Sequence, residues 1–140
     1  RQTEANNNLY FSTPRSAARF GLLILNKGDW DGEKISGDKN YFNQMTSSSQ
    51  NLNPSYGYLW WLNGKGKLIL PTMTQAIDQD LVPNAPKDMI SALGKNGQII
   101  DVVPSQNLVV VRMGERPEDG MIPILFHRKY WKILEQMMPK

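Results

Sequence analysis

The segment Met89–Gly114, MISALGKNGQIIDVVPSQNLVVVRMG, decides how this chain folds. Asn96-Gly97 separates two runs that can pair, Met89–Lys95 and Gln98–Val103. An Asn-Gly pair favours a two-residue turn with positive φ at both positions, so this spacing predicts a hairpin. Pro104-Ser105-Gln106-Asn107 makes a second turn, and Leu108–Met113 reads as a third strand. Three such strands form an antiparallel sheet whose apolar faces need cover. The fold class expected is α+β, an antiparallel sheet flanked by helices.

The flanking sequence supplies that cover. Downstream, Pro123–Met138 is predicted to be helical, with Pro123 in the first turn. Phe126, Tyr130, Ile133, Leu134 and Met137 recur at spacings of three and four and form its expected inward stripe. His127, Arg128, Lys129 and Lys132 are assigned to the solvated face. His127, the single histidine, has no partner at ligand spacing, so no metal site is expected and a surface or capping position is. Upstream, Pro14–Asn26 reads as an amphipathic helix with Ala17, Phe20, Leu23 and Ile24 inward. Ser12 or Thr13 can cap it, Pro14 fits its first turn, and Gly28 is free to close it with a left-handed φ.

Between these blocks, Asp29–Ile35 is a turn and Asp38–Met45 a shorter helix capped by Ser36 or Asp38. Tyr56–Leu62 (YGYLWWL) is a predicted strand on aromatic content. Trp60 and Trp61 then point to opposite faces of it. One fills the core and the other is available to wall a pocket, and Trp60 is carried forward as a candidate wall residue. Lys67–Pro86 holds Pro71, Pro83 and Pro86 and reads as a long loop with a short strand at Leu68–Leu70. A loop of this length often borders a site.

Composition sets bounds. With 140 residues, one domain with a real core is expected. The formal charge of +3 is modest and its carriers are scattered, so no nucleic-acid footprint stands out. The absence of cysteine excludes a disulfide framework and a thiolate metal site. No apolar run reaches membrane-spanning length, and no signal peptide is evident. The opening RQTEANNNLYF is polar and irregular, and suits a loop preceded by more chain.

Three blocks carry a family resemblance. Gly94-x-x-Gly97-Gln98, followed by a strand, a Pro turn and a Val-rich strand ending in Arg112-Met113-Gly114, resembles the last part of the serine β-lactamase-like hydrolases. Ser12–Ile35 (STPRSAARFGLLILNKGDWDGEKI) resembles a helix and following loop of the same superfamily, and Tyr56–Leu62 its Tyr-Gly-x-x-Trp strand. The superfamily includes class C β-lactamases, penicillin-binding proteins, esterases and 6-aminohexanoate-dimer hydrolases. The blocks stand in the family's order and, with the segments between them, span most of the chain. The resemblance therefore implies that residues 1–140 are a single partial domain, the C-terminal portion of the β-lactamase/transpeptidase-like fold.

The resemblance also implies acyl transfer through a serine, without a cofactor. In that chemistry Ser-x-x-Lys places nucleophile and amine one helical turn apart, a Tyr-x-Asn tyrosine shares the proton work, and two backbone N–H groups hold the oxyanion. Both motifs precede these blocks in the family, so the nucleophile is expected outside this chain. Ser36-Gly37-Asp38-Lys39 and Tyr41-Phe42-Asn43 match the two motifs literally, but lie almost adjacent and after the Ser12–Ile35 block. The edge strand is where many members carry Lys-Thr-Gly or His-Thr-Gly, and counting back from the turn puts Ala92-Leu93-Gly94 there. Gly94 keeps the glycine that lets substrate approach. Ala92 lacks a cation that could grip a substrate carboxylate. The second oxyanion donor is then the backbone N–H of Lys95. A rival register takes Lys95-Asn96-Gly97 as the motif and moves the donor to Gln98.

Three functions follow as expectations. The chain is the C-terminal part of a serine hydrolase acting on a β-lactam, ester or small amide, needing its complementary N-terminal part and self-associating without it. Alternatively it is a non-catalytic binding module of the same fold, or a small enzyme using Ser36, Lys39 and Tyr41. A small-molecule substrate is expected and nucleic acid is not. Members of the family are usually bacterial and often exported, so a periplasmic or exported location is the matching expectation.

Overall fold

The computed structural model describes residues 12–35, 38–118 and 122–138, and of Lys39 the backbone alone. Ser36 therefore lies outside the described residues. Helix α1 (Pro14–Leu25) is followed by a two-stranded ribbon, β1 (Asp29–Trp30) and β2 (Glu33–Lys34), and by helix α2 (Lys39–Met45). Strand β3 (Trp61–Leu62) precedes a long loop, and β4 (Ile90–Leu93), β5 (Ile99–Val103) and β6 (Leu108–Arg112) follow. Helix α3 (Ile124–Met137) comes last. The main sheet is four-stranded and antiparallel in the order β3-β4-β5-β6. An α+β architecture is thus present.

The sheet forms where the turn chemistry places it. Asn96 and Gly97 adopt φ of 65° and 77°, but the connection is not the two-residue turn expected: the Gly94 N–H donates to the Gln98 carbonyl across the three residues Lys95–Gly97, which sets Leu93 opposite Ile99. Asn107, at φ 48°, closes the second turn and sets Val103 opposite Leu108. Strand alternation then sorts the side chains. Ile90, Ile100, Val102, Val109 and Val111 face one side, where Ala17 and Ile24 of α1 and Phe42 and Met45 of α2 cover them. Val103, Leu108 and Val110 face the other side, against Ile124, Trp131 and Leu134 of α3.

Thr13 caps α1, with Pro14 in its first turn. Its inward row is Ala17, Gly21 and Ile24; Phe20 is left partly exposed. Gly21 is a close-approach position, since a Cβ there would stand 2.5 Å from Val109 Cγ1. Asp38 caps α2 by accepting the Asn40 and Tyr41 N–H groups at 2.8 and 3.3 Å. The Tyr56–Leu62 segment is less regular than its composition predicts. Leu59 takes φ 65°, the Gly57 N–H donates to the Trp60 carbonyl, and only Trp61–Leu62 extends the sheet. A Cβ on Gly57 would stand 2.3 Å from the Met45 carbonyl oxygen, which explains the glycine inside this turn.

The long loop is a lid on the α3 side. Leu68, Leu81, Val82 and Ala85 are buried in that core, and Leu68 bridges to Ile77. Buried Asn63 organises it: its Nδ2 donates toward the carbonyls of Val82, Ala85 and Pro86, and its Oδ1 accepts the Val82 N–H. One amide thereby engages four main-chain groups of a segment that has no ladder of its own, its two N–H protons shared among three carbonyls.

The expected stripe of α3 is rotated. Ile133 and Met137 are 60% and 75% exposed, whereas Ile124, His127 and Trp131 are buried. The physical reason is Asp101 in the middle of β5, a carboxylate beneath this helix that draws two polar-tipped side chains inward. No helix among the described residues is long and apolar enough to cross a membrane.

Candidate functional site

β4 is paired unevenly on its outer edge. Trp61 and Leu62 pair with Ser91 and Ile90, and the Asn63 N–H donates to the Met89 carbonyl. β3 ends at Trp61, because the Gly57–Trp60 turn leads the chain away. Main-chain groups of an antiparallel strand alternate in direction. Met89 and Ser91 address β3, so Leu93 aims its main chain outward, past the end of that strand. Gly94 faces the other way and donates its N–H to the Gln98 carbonyl at 2.8 Å. Lys95 then opens the turn that ends at Gly97.

Beside this edge lies a hollow of about 440 Å³. Leu93, Trp61 and Tyr56 form one side, with Ile122 beside them, and Leu70, Pro71 and Met73 of the long loop the other. The Tyr56 and Trp61 rings meet edge to face with centroids 4.9 Å apart. Asn53 also lines the hollow, but its amide is engaged, Nδ2 with the Ile69 carbonyl and Oδ1 with the Ile69 N–H.

The residues singled out from the sequence therefore divide. Leu93 borders the hollow, and Gly94 and Lys95 follow it directly at the strand end. Ala92 turns to the α1 side and packs half-buried against that core. Trp60, expected to wall a pocket, is instead core: it is 4% exposed and stacks on Phe20 with centroids 6.2 Å apart. The tryptophan that reaches the hollow is Trp61. The two do point to opposite faces, and the pocket side is decided by the register of β3 with β4. In the rival register the Gln98 backbone N–H would be the donor; Gln98 lies directly after the Lys95–Gly97 turn, with its carbonyl accepting the Gly94 N–H. Tyr41 stands on the outside of α2, 45% exposed and 6.5 Å from the Tyr58 ring.

A second polar constellation was not visible in the sequence. Ser91 and Asp101 are direct cross-strand partners, and the Ser91 hydroxyl donates to Asp101 Oδ1 at 2.6 Å. Trp131 Nε1 donates to Oδ2 at 2.8 Å, and His127 Nε2 lies 2.9 and 3.0 Å from the two oxygens. All are fully buried. A carboxylate only accepts, so Nε2 carries the proton that faces it. His127 is thus a buried latch between α3 and the sheet, not the surface or cap residue its basic neighbours suggested. Arg128 also departs from the solvated face, donating to the Leu81 and Asp80 carbonyls.

The order of contacts limits its chemistry. Asp101 stands between Ser91 and His127, so the serine donates to the carboxylate and not to the imidazole. A nucleophilic serine needs the reverse arrangement, with the base on its proton and the carboxylate behind the base. The cluster is closed to water and fastens helix to sheet. Its negative charge, after burial, helps push the Tyr130 hydroxyl up to about 12. The available signal was an Asp inside the apolar run Ile99–Val103, with His127 and Trp131 one turn apart on a helix.

Among the described residues, no group of three or more His, Cys, Asp or Glu side chains is placed to hold a metal ion. No protein-family model and no curated protein matches this chain.

Proposed function

We propose that this chain is the substrate-lining, C-terminal portion of a serine β-lactamase-like hydrolase, acting by acyl-enzyme chemistry on an ester, small amide or β-lactam. The nucleophile comes from residues outside it. The observation that carries the reading is the strand end at Leu93-Gly94-Lys95, where the edge of β4 runs beyond β3 beside a hollow lined by Leu93, Trp61 and Tyr56. This is where the family resemblance calls for an oxyanion donor and a substrate-lining edge. Lys95 supplies the donor through its backbone N–H. Leu93 and Trp61 hold the acyl group, with Gly94 between Leu93 and the donor. Ser91, Asp101, His127 and Trp131 position the strand. The edge strand β6, four apolar residues followed by Arg112 and without Pro or Lys, is where the complementary part of the fold adds strands or, failing that, copies of the chain associate. The matching location is periplasmic or exported.

The test is labelling of the native, untruncated protein with a serine-reactive fluorophosphonate, followed by peptide mapping. Label on a serine outside residues 1–140 supports the reading. Label on Ser36 overturns it in favour of the small enzyme, and no label leaves the non-catalytic binding module. In the labelled protein, Lys95→Pro removes the donor N–H after a residue already extended at ψ 159°. It is expected to lower kcat by about 10²–10³-fold with little change in KM. A chain that is monomeric and melts cooperatively by itself would count against the need for a complementary part.

A further inference from the structure

We propose that the hollow beside β4 selects an uncharged, apolar acyl chain and rejects anionic substrates. This rests on the reading of the strand end as a substrate edge, and narrows its substrate class. Among the described residues, the lining carries no ionisable group other than the Tyr56 phenol. The walls are the hydrocarbon and ring surfaces of Leu93, Trp61, Tyr56, Leu70, Met73 and Ile122, interrupted by the uncharged polar side chains of Gln50, Asn53 and Thr72. Of the two amides in the lining, that of Asn53 is half-buried and spent at both ends on Ile69, and that of Gln50 is exposed to water. A carboxylate entering here loses water and meets neither a cation nor an uncommitted buried donor, whereas an alkyl or phenyl group loses nothing it needs. At Ala92 no cation is available from the strand either, and its side chain lies on the opposite face of the sheet. A hollow of about 440 Å³ falls within the range of small-molecule sites and admits a phenylalkyl or short alkyl chain.

The two sides of the wall differ in how firmly they are held. Leu93 and Trp61 belong to the hydrogen-bonded sheet. Met73 is 45% exposed at the rim, next to Thr72 at φ 74°, in a segment the sheet does not fix. The rim is therefore the place to change charge without disturbing the core.

The experiment is an NMR titration of the native, untruncated protein with a matched pair, 4-phenylbutanamide and 4-phenylbutanoate, which share shape and differ in charge. The expected result is amide and indole shifts confined to Leu93, Trp61 and Tyr56, with the neutral ligand bound about tenfold more tightly. Met73→Lys is expected to narrow or invert that preference by supplying a cation at the rim. Leu93→Lys should do so more strongly, with the Trp131 indole resonance reporting that the fold survives. Equal or tighter binding of the acid by the unaltered chain, shifts centred elsewhere, or no shifts with either ligand would each overturn the proposal. Binding of the neutral ligand by a protein that the fluorophosphonate never labels would leave it standing and remove the hydrolase reading instead.

Discussion

The two faces of the central sheet are closed by different physics. On the α1 side the contact is apolar and made close by a small residue: Gly21 lets the helix settle onto Val109 and Ile100. On the α3 side the helix is anchored through Asp101, which holds Ser91, His127 and Trp131 in a fully buried set of hydrogen bonds. An apolar face tolerates sliding, because hydrophobic burial has no direction. A buried carboxylate with three donors permits one geometry, because each broken bond strands a buried polar group. The α3 face also receives the long loop, which has no ladder to hold it and is tied by Asn63.

The largest loss should follow removal of the carboxylate. Asp101→Ala leaves the His127 and Trp131 donors buried without an acceptor and should cost about 3–5 kcal/mol in denaturant unfolding. A loss below about 1 kcal/mol would mean that α3 is held by apolar contact, like α1. Next is the close approach on the other face. Gly21→Val drives methyl groups into Val109 and should cost about 1–3 kcal/mol. The double variant with Val109→Ala should recover part of it, since the two sites share one space.

A smaller effect is tied to pH. The Tyr130 hydroxyl is pushed up to about 12 from an ordinary value near 10, first by burial and then by the charge of Asp101. A folded pKa above the unfolded one makes a contribution that is full below pH 10 and lost as pH rises toward 12. Allowing for its partial exposure, this is about 1 kcal/mol. The difference between the native chain and Tyr130→Phe across that window should show this loss. Smallest is Met137→Lys on the outer side of α3, expected within about 0.5 kcal/mol of neutral, although helical spacing alone places Met137 inward.

Much of the fold could be read from local chemistry. Asn96-Gly97 and Asn107 announce their turns because few residues tolerate positive φ. The Pro14 entry and Asp38 cap of the first two helices are equally local, as is the alternation that separates Trp60 from Trp61. The candidate site was half legible. Leu93, Gly94 and Lys95 could be located by counting back from a turn. Which tryptophan faces the hollow could not, because that depends on where β3 stops against β4.

By itself, then, the sequence determined the three-strand core, the places of its turns and the helices that flank it, since each rests on contacts between residues near in the chain; the length of the first turn it did not. Tertiary structure alone decided the rotation of α3 and the burial of His127. Ile133 and Met137 are as apolar as the residues that were buried, so no periodicity could reject them. The choice was made by a carboxylate 26 residues away from His127, whose demand for donors exists only once strand and helix are packed together.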